Sequence, residues 1–346
     1  PLQIFVVEYI WQRQALLATF FSVAALIAYV STRSGRYSNA TVGYMLTGAL
    51  FLAALLTKES AICLPAMLAL AELFLFEVNP RRLALRFIVI GIIGIPVLAI
   101  YGLLNHALQG PTTVHTRGVL NLLQDNYRMA ELTVTEVVAT QCRVLWSYFR
   151  MIVVPFVGSF PLVKAEIVSR SLVSPPITAA AVAGVVAALG LGMALARKTP
   201  LIAFGIFFSV VTAIPEGVLS PQYLFFGYRP VLFMIGLLII LGEGLHLVLA
   251  QRNRPALRYL ASIGLCVWIV GLSATTISQS ARWKPMEFWL TAFRQLPPFS
   301  PDTEVKAYVD VLINYSDQLM REKRYDEATA VLKKAVAINP LYDLAQ

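Results

Sequence analysis

Eight apolar runs constrain this chain more than any other feature. They cover residues 15–30, 42–57, 60–76, 87–104, 177–196, 200–215, 231–250 and 259–276. Each approaches the ~20 residues with which a helix crosses a hydrocarbon core of ~30 Å. Lipid offers no partners for backbone N–H and C=O groups, so the runs are predicted to be helices and the fold class all-α: a polytopic membrane bundle of about eight spans. The shortest runs draw on flanking residues or on locally thin bilayer. Composition agrees, with 58% hydrophobic and only 14% charged residues over 346 positions, a balance no soluble domain carries without large exposed apolar patches. Residues 1–13 hold neither a basic stretch nor a small-residue cleavage site, so no cleavable signal peptide is expected there. Without an initiator methionine, and ending where a further repeat is due, the chain reads as truncated at both ends.

Charge distribution gives the topology. The loops after runs 1, 3, 5 and 7 hold Arg33, Arg36, Arg81, Arg82, Arg86, Arg197, Lys198, Arg252, Arg254 and Arg258 against one acid, Glu77. The loops after runs 2 and 6 balance Lys58 with Glu59 and Glu216 with Arg229. The excess of basic residues places the first set in the cytoplasm. Both termini and a long loop, 105–176, then lie outside, as in a multi-pass protein of the cell (inner) membrane. The net charge of +9 is spread over these short loops, so a nucleic-acid partner is not expected. Three cysteines, Cys63, Cys142 and Cys266, lie in or beside apolar segments and suggest no disulfide framework. The three histidines, His106, His115 and His246, are too dispersed to suggest a metal site.

Lys58 and Glu59 join two apolar runs with almost no loop between them. Ionisable groups at a membrane boundary cost desolvation, so the pair reads either as part of a working site or as an ion pair closing a helical hairpin. Within the long loop, 135–154 is predicted to form an amphipathic helix. Glu136, Thr140, Arg143, Ser147 and Arg150 make its polar stripe. It lies on the membrane surface, dips into the bundle with its arginines lining a wet cavity, or crosses the membrane fully, in which case the span count becomes odd and one terminus changes side. The composition changes after Thr276, which divides the chain into a membrane bundle, 1–277, and an external tail, 278–346. Residues 309–342 fit one full tetratricopeptide repeat (TPR), with small alanines at Ala328 and Ala335 and Pro340 closing the second helix. Lys323 stands where the turn glycine is usual. Residues 282–298 read as a degenerate earlier helix pair.

Several segments taken together resemble the transmembrane-and-TPR proteins related to protein O-mannosyltransferases. They are PLQIFVVEYIWQRQALLATFFSVAALIAY (1–29), LLTKESAICLPAMLALAELF (55–74), AIPEGVLSPQYLFFGYRPVLFMIGLLI (213–239) and ARWKPMEFWLTAFRQLPP (281–298). The resemblance implies a GT-C-type glycosyltransferase that moves a sugar from a polyprenyl-phosphate carrier to an acceptor outside the cytoplasm. Its catalytic aspartate is expected in an external loop upstream of Pro1, so no catalytic residue is identified in this chain, and Glu8 does not stand at that place. Position and resemblance together make Lys58 and Arg229 candidates to bind the donor phosphate, with Arg13 third. Arg143 and Arg150 join them if their helix faces the cavity. Glu59 would orient Lys58, or touch the sugar or a divalent metal. The implied partners are the lipid-linked sugar, membrane lipids and an acceptor protein held by the repeats. Two other readings stay open. An O-antigen-ligase-like or polymerase-like enzyme would use His106 or His115 with loop arginines. A non-catalytic anchor would only display repeats as a scaffold.

Overall fold

A computed structural model describes residues 4–7, 12–76, 80–109, 127–128, 130–154, 161–251, 253–281 and 284–340. The described residues are helical apart from loops, turns and isolated bridges. Besides a single turn at Ile4–Val7, twelve helices organise them: α1 (Arg13–Arg33), α2 (Ala40–Thr57), α3 (Leu64–Leu75), α4 (Pro80–Gln109), α5 (Val134–Val153), α6 (Ile177–Leu195), α7 (Pro200–Ile214), α8 (Val231–Leu249), α9 (Pro255–Ala281), α10 (Pro285–Arg294), α11 (Val305–Arg321) and α12 (Tyr325–Ile338). Among the described residues, seven segments are long and apolar enough to cross a membrane: α1, α2, most of α4, α6, α7 with its continuation to Leu219, α8 and α9.

The run 60–76 does not form the single long helix expected of it. Lys58 is extended (φ −159°, ψ 135°), Glu59–Cys63 is a 3₁₀ turn, and α3 has only 12 residues. Pro65 explains the break, since it has no N–H to give a preceding turn and sits in the first turn of α3. The segment nevertheless runs beside α1 over the same height. At one end the Lys58 ammonium lies 4.8 Å from the Tyr228 ring, and Tyr228 packs against Ala15 and Val231. At the other end Arg33 of α1 pairs with Glu72 of α3. A 3₁₀ turn and nine α-helical residues rise about 24 Å, close to the ~27 Å that α1 climbs between Ala15 and Arg33.

That second end is fixed by a buried polar lock. Glu72 is fully buried. Its carboxylate accepts from the Tyr29 hydroxyl (2.8 Å) and from Arg33 Nε (2.5 Å) and Nη2 (3.1 Å). A buried charge persists in an apolar bundle only when paired and hydrogen-bonded in this way.

Helices α7 and α8 touch backbone to backbone. A Cβ built on Gly236 would sit 2.6 Å from the Gly205 carbonyl oxygen and 2.2 Å from Ser209 Oγ. The Ser209 hydroxyl donates to the Phe233 carbonyl across the same contact (3.1 Å). Small residues that admit such an approach are how membrane helices gain van der Waals contact.

Helix α5 begins with a reciprocal cap: Thr133 Oγ1 accepts from Glu136 N–H (3.3 Å) and Glu136 Oε2 accepts from Thr133 N–H (2.8 Å). It packs against α6 and α9. The Trp146 indole donates to the Ala181 carbonyl of α6 (3.0 Å), and the Trp268 indole of α9 donates to the Val153 carbonyl (2.6 Å). Segment 162–170 covers the first part of its polar stripe, from Glu136 to Arg143, while Arg150 stays exposed. Thr140 Oγ1 accepts from Ser169 N–H (2.9 Å), and Arg170 pairs with Glu136 (2.9 Å).

The helices after residue 278 are docked rather than tethered. One hydrophobic core runs from Val144, Tyr148 and Ile152 of α5 through Leu162, Phe225 and Phe233 to Ala292, Ala307 and Val311. A second core closes α11 on α12 through Leu312, Tyr315, Leu319, Ala328, Val331 and Ala335. Between those two helices Lys323 is left-handed (φ 62°). Bonds from Lys323 N–H to Met320 C=O and from Arg324 N–H to Leu319 C=O complete a Schellman stop.

Candidate functional site

Helix α7 does not end cleanly. It continues into a π-helical turn, Pro215–Leu219, which carries Glu216. Such turns widen a helix end and recur at functional sites. The neighbouring loop then turns back into α8, and the Gly205–Gly236 contact fixes where the two meet. Arg229 stands at that point, one residue before Pro230 caps α8.

Polar contacts hold both pieces. The Tyr127 hydroxyl donates to the Val218 carbonyl (2.7 Å), and Gln141 Nε2 donates to the Leu224 carbonyl (2.9 Å). The Tyr148 hydroxyl donates to the Phe226 carbonyl (2.8 Å) and accepts its N–H (3.2 Å). The Arg229 guanidinium donates through Nη1 to the Tyr223 carbonyl (2.5 Å) and lies 5.6 Å from the Phe226 ring.

Lys58, Glu216 and Arg229 meet here. Lys58 Nζ is 2.6 Å from Glu216 Oε1, and Arg229 Nε is 3.8 Å from Glu216 Oε2. Lys58 is only 8% exposed, and its ammonium also faces the Tyr228 ring, a contact that favours a cation. Two cations against one carboxylate leave the cluster one positive charge in excess. Two of its atoms, Arg229 Nε and Glu216 Oε2, are buried with no hydrogen-bond partner among the described residues, and Lys58 Nζ has none beyond its ion pair with Glu216 Oε1. A further such atom, Gln12 Oε1, belongs to the residue that precedes α1, three before Ala15. Buried polar atoms are normally satisfied, so a concentration of orphans marks a place for a water or a polar ligand.

The other sequence candidates fare differently. Glu59 is exposed, and the carboxylate at Lys58 is that of Glu216 instead. The cause is the extended backbone of Lys58, which sends successive side chains to opposite sides. Arg13 is exposed at the start of α1, two residues from Ala15 and the Tyr228 contact. Arg143 is directed at the covering segment: it donates to the Ile167 carbonyl (2.7 Å) and Ser169 Oγ (3.2 Å) and lies 3.6 Å from Glu166. Arg150 is exposed on α5. His115, of the alternative reading, lies outside the described residues, as do Glu8 and the side chain of His106.

A second ionisable group borders the first. Glu304, which caps α11, is 7% exposed. Its Oε1 accepts the Leu224 N–H (2.9 Å) and its Oε2 the Glu166 N–H (3.3 Å). Burial pushes its carboxyl up to about 8; the Glu166 charge adds to the rise, while the two backbone donors and Arg229 oppose it. Glu166 itself pairs with Lys164 (2.8 Å). Sequence reasoning gave Glu216, Tyr228 and Glu304 no role. For Glu216 there was a signal: it shares its short loop with Arg229, on the side already given to Lys58.

No described residues form a group of three or more His, Cys, Asp or Glu able to hold a metal ion. Comparison with protein-family models, curated proteins and solved structures finds no match to this chain.

Proposed function

We propose that this chain is the membrane part of a GT-C-type glycosyltransferase, and that Lys58 and Arg229 hold the phosphate of a polyprenyl-linked sugar. The observation that carries the reading is the cluster of incompletely partnered buried donors on two cations at one end of a membrane bundle. In such a transfer an acceptor hydroxyl attacks the anomeric carbon. The sugar–phosphate bond breaks, its electron pair stays on the phosphate oxygen, and the hydroxyl proton goes to a carboxylate base. The charge that grows on the phosphate needs cations already in place and little water. Lys58 and Arg229 are held by Glu216, Tyr228 and the Tyr223 carbonyl before any ligand arrives.

The reading places this end, with α5 and the C-terminal helices, outside the cytoplasm. The basic loop residues near Arg33 and Glu72, at the opposite end, support that sidedness. It takes α11 and α12 as a TPR, supported by the buried Ala328 and Ala335 and the left-handed Lys323, with the repeats presenting an acceptor protein. A display scaffold would have no use for a buried cation cluster at a span end.

Lys58→Ala and Arg229→Ala, made separately in the full-length protein, are expected to cut transfer from a polyprenyl-phosphate sugar by about 10²–10³-fold each, the usual cost of losing one preorganised donor. Both variants should accumulate in the membrane at the parent level. Parental transfer by the two variants would remove the proposed phosphate site.

A further inference from the structure

We infer that Glu304 is a positioning residue for Arg229, acting through the peptide unit that joins Tyr223 to Leu224. Glu304 Oε1 accepts the N–H of that unit (2.9 Å), and Arg229 Nη1 donates to its C=O (2.5 Å). In a planar trans peptide these two groups point in opposite directions and rotate together. Carboxyl and guanidinium therefore bracket one rigid plate from its two sides. Tilting the plate to release one partner releases the other, and each bond polarises the peptide in the sense that strengthens its opposite number.

The link is anchored on the tail side as well. Glu304 Oε2 holds the Glu166 N–H, and the Glu304 N–H donates to the Glu166 carbonyl (2.9 Å). Val168 N–H donates to the Asp302 carbonyl (2.6 Å), so the start of α11 is stitched to segment 166–168. Two further contacts join α11 to the same loop without passing through the peptide: the Tyr223 hydroxyl donates to Asp310, and the Lys306 ammonium lies 4.6 Å from the Tyr223 ring. The start of α11 is thus a structural wall of the cation site.

The inference rests on the Lys58–Glu216–Arg229 cluster being the working site, but its test reads geometry alone. A failed transfer assay would leave that test unaffected. Full-length protein in detergent is treated with phenylglyoxal, and modification of single arginines is followed by peptide mass spectrometry. Arg229, buried in the parent, is expected to react about tenfold faster in Glu304→Ala, the order expected when a buried backbone donor loses its acceptor. Glu304→Gln, which keeps one carbonyl oxygen for the Leu224 N–H, restores the slow rate. Tyr223→Phe, which loosens the docking but leaves the peptide bracketed, stays within about twofold of the parent, below the energy of one ordinary hydrogen bond. Arg33, at the far end of the bundle, keeps its rate in every variant. Should Glu304→Ala fail to accumulate, Glu304→Asp, one methylene short of the peptide, takes its place in the comparison with Glu304→Gln. An unchanged Arg229 rate in the Ala or Asp variant overturns the inference, as does an equal acceleration by Tyr223→Phe.

Discussion

At the scale of single residues, the cluster of Lys58, Glu216 and Arg229 is arranged asymmetrically, and the asymmetry can be measured. Removing Lys58 leaves Glu216 facing Arg229; removing Glu216 strands two buried cations 8% and 9% exposed. Breaking a buried pair costs roughly 3 kcal/mol or more because the remaining charge loses its compensation. Glu216→Ala is therefore expected to lower the unfolding temperature in detergent further than Lys58→Ala does. Millimolar inorganic phosphate should restore part of that loss, and more of it than it adds to the parent. The reverse order of the two variants would show that Glu216 is not the compensating charge. Both cations were legible in the sequence as charges at the ends of apolar runs. Their partner was not, because neighbours in sequence suggested Glu59, and only the extended φ and ψ of Lys58 turn the two side chains apart.

At the scale of elements, the site depends on how closely α7 approaches α8. Glu216 ends one helix and Arg229 begins the other, so a change of separation at Gly205 and Gly236 moves both. Gly236→Ala places a methyl group 2.6 Å from a backbone oxygen that cannot give way. Overpacking of this kind costs about 1–3 kcal/mol, and the thermal shift in detergent should reflect it. Ser209→Ala should not rescue the variant, since the Gly205 carbonyl clash remains. Hydropathy was a good guide to where helices run, because burial in lipid leaves only that choice for the backbone. It was a poor guide to 60–76, where Pro65 and the extended Lys58 divide an unbroken apolar run into a 3₁₀ turn and a short helix. The polar stripe of α5 was also legible, but not its cover. The chain that lies over Thr140 and Arg143 comes from 162–170, and no local periodicity reports a partner about 25 residues away.

At the scale of the whole molecule, the shift of composition after Thr276 was legible and the docking of the tail was not, since it is built from single side chains of distant segments. Glu304 makes that docking sensitive to pH. Its carboxyl faces Glu166 and Arg229, with Arg143 and Lys164 behind Glu166. In an unfolded chain it titrates near its ordinary value of 4.5, and in the folded chain near 8. Below about pH 4.5 both forms hold the proton, so stability does not change with pH there. Between those values the folded chain retains a proton that the unfolded chain has lost, so each step up in pH favours unfolding. The contribution is thus fully present below pH 4.5 and lost as pH rises towards 8. Other groups titrate in the same range, which makes the difference between parent and Glu304→Gln the informative quantity. Relative to Glu304→Gln, the parent should lose stability steadily from pH 5 to pH 8, read as protection of α11 amides in hydrogen exchange. A difference that stays flat over that range would mean that Glu304 is ionised in the folded chain and held by its two backbone donors.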